Sequence, residues 1–140
     1  MQIEYGTDLH KEEIKLRDLA LRAPLGLKFS DEDLAAEKDE LRFGLLDSSG
    51  RLAACLLIRI LSSTRGKLRQ MAVREELRGK GIGHELVKKV EAVLKKKNIT
   101  TIELNARMYA KVFYEKLGYT PSGDIFNEVG IPHIKMVKTL

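Results

Sequence analysis

The chain has 140 residues, 44% hydrophobic and 32% charged, with a formal net charge of +5 and a pI near 9.3. That suits one domain spanning 1–140 with its own core, and it is too apolar for a disordered chain. The basic surplus favours anionic ligands but is too mild to point to nucleic acid by itself; a well-solvated basic surface is the plainer reading. The lone Cys55 excludes an intrachain disulfide, and its apolar setting is that of a buried thiol. No apolar run approaches the roughly 18 residues of a membrane span, and Met1–Tyr5 does not read as a signal peptide. A cytoplasmic protein without a membrane partner is expected.

Ile3–Tyr5 reads as a short edge strand. Apolar spacing predicts a helix from Leu9 to Arg22, stopped before Pro24. Ser30-Asp31-Glu32-Asp33 is a capped helix start, with the helix running through Glu37. Leu41–Leu46 and Arg51–Leu61 read as strands joined by the turn Asp47-Ser48-Ser49-Gly50. Arg65-Gly66 should turn the chain into a further strand that ends at Val73. The next helix ends near Lys95-Lys96-Lys97-Asn98, where three cations suit the negative end of the helix dipole. Thr100–Leu104 is a strand. A helix carrying Ala110, Phe113, Tyr114 and Leu117 on one face follows, with Gly118 as its C-cap. Tyr119 and Ile125–Phe126 open another strand, and His133–Val137 forms the last. The order β-α-α-β-β-β-α-β-α-β-β gives an α/β (α+β) fold. Its mixed central sheet has about six to seven strands, with helices on both faces.

Arg78-Gly79-Lys80-Gly81-Ile82-Gly83 lies between the strand ending at Val73 and the helix that follows. Glycine permits close backbone approach, and the first N–H groups of a helix are unpaired at its positive end. The segment is therefore a cradle for an anion, best suited to a pyrophosphate. A P-loop needs four residues between its glycines, then Lys-Ser/Thr; here Gly79-Lys80 runs straight into Gly81. The dinucleotide fingerprint needs G-x-G-x-x-G in a parallel βαβ unit, and this chain has G-x-G-x-G after a meander. No His-Glu-x-x-His or other metal-ligand spacing is present, and no Gly-x-Ser-x-Gly elbow.

The loop fits Arg/Gln-x-x-Gly-x-Gly/Ala and resembles the coenzyme A pyrophosphate loop of the Gcn5-related N-acetyltransferases. Asn105–Tyr119, with Tyr114-Glu115-Lys116-Leu117-Gly118-Tyr119, resembles a second motif of that family, and the interval between the two also matches. The resemblance covers roughly residues 41 to 140. The tail Glu128-Val129-Gly130-Ile131-Pro132-His133, with Met136, is similar to the ElaA-like branch, whereas Leu21–Leu27 departs from it. That departure falls on the acceptor side and leaves the acceptor open.

The resemblance implies a role for each of these residues. Met71, Ala72 and Val73 would line a splayed strand on which the pantetheine of acetyl-CoA pairs, an N–H near Met71 polarising the acetyl carbonyl. Arg78, Gly79, Lys80, Gly81, Ile82 and Gly83 would hold the pyrophosphate. Asn105 would bond pantetheine or steady the splay; a turn residue opening a helix is its alternative. Tyr114 would protonate the departing thiolate, against a plain core aromatic. Glu128 and His133 are candidates for the base, against a loop charge and the first residue of the last strand. Arg69 and Arg22 face the acceptor side; for Arg22 the alternative is a cation at a helix C-terminus.

The implied protein is an acetyl-CoA-dependent N-acetyltransferase acting on a small-molecule amine by direct attack in a ternary complex. Acetyl-CoA is the cosubstrate and no metal is implied. A protein or peptide acceptor, and a coenzyme A-binding module without catalysis, are the alternatives. A nucleic-acid partner is not expected, since the aromatic interleaving of a single-strand platform is missing. A homodimer is left open.

Overall fold

The computed structural model describes residues 1–140 and joins seven strands in one mixed sheet, ordered β1-β2-β3-β4-β7-β5, with β6 also paired to β7. β1 (Leu41–Leu46), β2 (Leu52–Ile60) and β3 (Arg65–Val73) form an antiparallel meander. The crossover helix α3 (Ile82–Lys96) then leads to β4 (Thr101–Arg107), parallel to β3. β7 (Ile131–Thr139) runs antiparallel to β4 and carries β5 (Thr120–Pro121) and β6 (Phe126–Glu128) on its far edge.

Alternation along the strands gives the sheet two faces. Ala54, Leu56, Ile58, Leu68, Ile102 and Leu104 lie in the main core, which Leu86, Val87, Val90 and Leu94 of α3 complete with Tyr114 of α4 (Lys111–Lys116) and its C-cap Leu117. Each fully buried Leu, Ile or Val contributes about 1.5–3 kcal/mol through removal from water. Cys55 and Ala72 face the other side, in a smaller cluster with Ile3 and with Leu16 of α1 (Asp8–Arg17). Burial pushes the Cys55 thiol well above its ordinary range, so it packs as a small apolar side chain.

Several elements differ from the sequence reading. Ile3–Tyr5 is not a strand: a single bridge joins Gln2 to Phe43, and the chain leaves the sheet at Gly6 (φ +82°) so that Thr7 can cap α1. The helix predicted from Leu9 to Arg22 ends as an α-helix at Arg17, widens into a π turn over Asp18–Arg22, and tightens into a 3-10 piece over Ala23–Leu25. Pro24 does not stop it, because at the first turn of that last piece its missing N–H is not needed. The capped helix α2 is shorter than expected, Asp31–Ala35. Arg65 and Gly66 already belong to β3; the turn before them is closed by the Leu61 and Ser62 N–H groups on the Arg65 carbonyl. β4 runs three residues beyond Leu104, held by β7 as far as the pair Arg107–His133. Gly118 does follow α4 in the left-handed region (φ +96°).

A buried ionic cluster ties the N-terminal elements to the sheet. Arg17 donates to Glu13 Oε1 at 2.8 Å and to both oxygens of Glu37 at 2.7 and 2.8 Å. Arg42 donates to the carbonyls of Glu37 and Glu40, and Arg69 of β3 donates to the Glu40 carboxylate at 2.6 Å. Burial raises the pKa of the Glu13 carboxyl, and Arg17 opposes that shift. Its Oε2 and the Nε atoms of Arg17 and Arg42 are buried without partners.

Candidate active site

β3 and β4 part inside the sheet. Their parallel pairing covers Arg65–Leu68 against Thr101–Leu104 and ends there. Just beyond, Gln70 and Met71 of β3 together oppose Leu56 of β2, and Gln70 takes φ +53°. This is a β-bulge, and bulges bend their strand. β3 turns away with β2 while β4 stays with β7. The Arg74 N–H donates to the Ala53 carbonyl at 2.8 Å, so Arg74 and, two residues earlier, Ala72 address β2. Met71 and Val73 then turn their main-chain groups into the gap.

The glycine loop closes one end of the gap. Gly79 and Gly81 adopt φ +77° and +79°, and a Cβ at either would meet nothing within 4 Å. Left-handed residues alternating with ordinary ones are the backbone of an anion nest, and Gly81 is the N-cap of the 15-residue α3. The third glycine has another reason. A Cβ on Gly83 would lie 2.9 Å from Met71 Cε and 3.3 Å from Phe113 Cζ, so Gly83 lets α3 pack against the diverging strand. Arg78 is exposed and donates Nε to the Val73 carbonyl at 3.2 Å, which steadies the loop while leaving its charge unpaired.

Every site residue expected from the sequence except Lys80 lines a single cleft of about 1180 Å³. Tyr114 is 8% exposed and its hydroxyl points to Met71 Sδ at 3.6 Å, across the mouth of the gap. Burial, with a smaller contribution from Tyr109, pushes its phenol above the ordinary tyrosine range. It therefore keeps its proton through neutral pH. Asn105 is the first β4 residue past the last β3 partner, Leu104, and lies within the strand rather than at its end.

His133 is buried at 3% exposure, and its Nδ1 lies 2.9 Å from the Ile131 carbonyl. A carbonyl accepts only, so Nδ1 carries hydrogen and Nε2 is the free site of the neutral ring. Nε2 faces Glu128 Oε2 at 3.5 Å. Glu128↔Ile131 closes the β6–β7 hairpin, leaving Val129 (φ +47°) and Gly130 (φ +77°) as a two-residue turn of the kind that favours Asn-Gly. Val129 is a β-branched residue in the left-handed region, a strained position, and it lines the cleft.

Arg69 lines the cleft with its guanidinium held by Glu40. Arg22 ends the π turn and stacks over the Phe29 ring at 4.5 Å. Sequence reasoning missed the Gln70 bulge, the strained Val129, Glu40 as the partner of Arg69, and Arg107. Of these only Arg107 had a signal, its alternation with Asn105.

Known proteins resemble this chain in sequence and in fold. The model of the acetyltransferase (GNAT) domain matches residues 27–140. An uncharacterised N-acetyltransferase of Chlorobaculum tepidum is 32% identical over 109 residues, covering 70% of each chain. Against two curated Bacillus subtilis proteins, 37% and 36% identical, the chain spans about half of their length (55% and 54%). Escherichia coli ElaA superposes with a TM-score of 0.81 at 21% identity, covering 99% of this chain and 97% of that one. A GNAT family acetyltransferase from Elizabethkingia anophelis, solved with acetyl-CoA bound, superposes at 0.78 and 18% identity over 100% and 96%. These two likenesses concern the fold. With the domain match covering residues 27–140, this chain belongs to the GNAT acetyltransferase family.

Proposed function

We propose that the protein transfers an acetyl group from acetyl-CoA to the primary amine of a small molecule, by direct attack in a ternary complex. The observation that carries this reading is the gap between β3 and β4, with a glycine nest at one end and the Tyr114 hydroxyl at its mouth. Acetyl-CoA supplies the activated thioester. Gly79, Gly81 and the first turn of α3 hold its pyrophosphate, with Arg78 and Lys80 as cations nearby. Met71 and Val73 pair with the pantetheine, and an N–H at Met71 addresses the acetyl oxygen. Asn105, across the gap on β4, steadies the same arm. Tyr114 gives its proton to the departing sulfur. His133 accepts the amine's proton at Nε2, and the imidazolium so formed faces Glu128.

A small acceptor is favoured because the Leu21–Leu25 segment and the Val129 hairpin line the cleft from separate elements. The test is thiol release from acetyl-CoA with a panel of small amines and amino-terminal peptides. Small amines should be turned over preferentially. Tyr114→Phe should lower kcat by roughly 10²-fold with acetyl-CoA affinity unchanged. Unchanged turnover in that variant would remove Tyr114 from the reaction. Coenzyme binding with no amine turned over would favour a module that only binds.

A further inference from the structure

The arginines of this chain are unevenly paired. Arg17 is tied to Glu13 and Glu37, Arg65 to Glu103, Arg69 to Glu40 and Arg74 to Asp47. Arg22 and Arg107 line the cleft, are half-buried, and have no carboxylate within ion-pair distance. Arg78 is also unpaired, but it belongs to the glycine loop.

Both guanidinium groups are held by neutral partners. Arg107 donates Nη2 to the Leu21 carbonyl at 2.9 Å and Nη1 to the Tyr109 hydroxyl at 3.2 Å. Arg22 lies over Phe29 at 4.5 Å, and that ring is shared with Arg17, also at 4.5 Å. These contacts fix position without neutralising charge. Arg107 binds the residue just before Arg22, so the two cations are neighbours. Burial first, and then the charge of Arg107, hold Arg22 below the ordinary arginine range, with the more distant Asp33 and Glu128 opposing in part. Partly buried like charges are unfavourable until an anion arrives.

The surroundings say where that anion would lie. Glu128 is the only acidic side chain lining the cleft. His133 sits directly opposite Arg107 on the neighbouring strand, so both side chains project from the same face. Arg107 alternates with Ala106, which packs in the core beneath α3; the arginine therefore faces away from the helix that the glycine loop opens. Two free guanidinium groups thus adjoin the carboxylate–imidazole pair, apart from the phosphate nest.

Resting on the acetyltransfer reading above, we propose that the acceptor is an amine that also carries an oxyanion, a carboxylate or a phosphate. Arg22 and Arg107 bind the oxyanion and place the amino group at Glu128 and His133. Planar guanidinium forks suit either oxyanion.

The full chain is first titrated with acetyl-CoA. It is then assayed by thiol release with α-amino acids against their carboxamides, and with phosphoethanolamine against ethanolamine. At least one charged amine should show kcat/KM about ten-fold or more above its neutral partner. The pair that shows the preference names the oxyanion. In Arg22→Gln and Arg107→Gln the preference should fall below about three-fold through KM, with acetyl-CoA affinity unchanged. Thermal melting of each variant is the folding control, and the wild-type comparison stands alone if a variant does not fold. Neutral partners used equally well would overturn the inference, as would a protein that binds acetyl-CoA but acetylates no charged amine. Loss of acetyl-CoA affinity in the variants would assign the arginines to the donor instead. A protein that binds no acetyl-CoA would overturn the transferase reading itself.

Discussion

The proposed donor and acceptor halves of the cleft are built from different materials. The donor half is mostly main chain: the nest at Gly79 and Gly81, the first turn of α3, and the strand edge that the Gln70 bulge exposes. The acceptor half is side chains: Arg22 over Phe29, Arg107 against Leu21, and His133 against Glu128, braced by the ionic cluster around Arg17. A site made of main chain leaves glycines at fixed spacing in the sequence. One made of side chains depends on pairings between distant segments, such as Arg17 with Glu37 and Arg69 with Glu40, and leaves no local pattern.

The largest separation of the two halves should come from Arg17→Met. It leaves Glu13 and Glu37 buried without their cation, and breaking a buried pair from one side costs about 3–5 kcal/mol. Chemical denaturation should show that loss. In protein that remains folded, acceptor KM should rise while acetyl-CoA affinity holds. Gly81→Ala attacks the other half. It forces a Cβ into φ +79° at a strain of about 1–2 kcal/mol, and calorimetry should show acetyl-CoA affinity reduced roughly ten-fold. Acceptor preference should not change.

Smaller effects sharpen the picture. Val129→Asn keeps the left-handed conformation but removes the β-branch and creates the favoured Asn-Gly turn. Stability should rise by about 1 kcal/mol, read as a higher Tm. If the strain serves acceptor placement, activity should fall as stability rises. Asp47 provides a control outside the cleft. Hydrogen bonds from Ser49 and then Arg74 hold its carboxyl well below the usual carboxylate range. A depressed carboxyl stabilises the fold above its unfolded pKa and loses that contribution as pH falls through and below the usual range near 3.9. Asp47→Asn should flatten that acid limb of the stability profile and leave the neutral-pH amine preference unchanged.

Much of this contrast was legible beforehand. The meander, the crossover, the Asp47–Gly50 turn and the Gly118 cap follow from alternation, helical spacing and turn chemistry, and the structure has them. The glycine loop was legible as a unit; that its third member, inside the first turn of α3, also packs closely against Met71 was not. Other features depend on tertiary context. The chain runs helically through Pro24 because that residue falls in the first turn of a new 3-10 piece, where its missing N–H is not needed. The bulge places Gln70 in a conformation its residue type does not advertise. Val129 holds a turn that its own propensity opposes. Arg107 lay beyond the strand read as ending at Leu104, and its place in the cleft depends on its cross-strand partner His133 and on the distant Leu21 carbonyl.

The measurement that bears most directly on the account is a calorimetric titration of the wild-type chain with acetyl-CoA, using free coenzyme A and ATP as comparators. The account predicts one-to-one binding of acetyl-CoA, with ATP much weaker, because the nest is joined to a strand gap with free main-chain groups that suit a pantetheine arm and that ATP would leave empty. No binding of either coenzyme would contradict it, and the assignment of the β3–β4 gap as a donor site would fall.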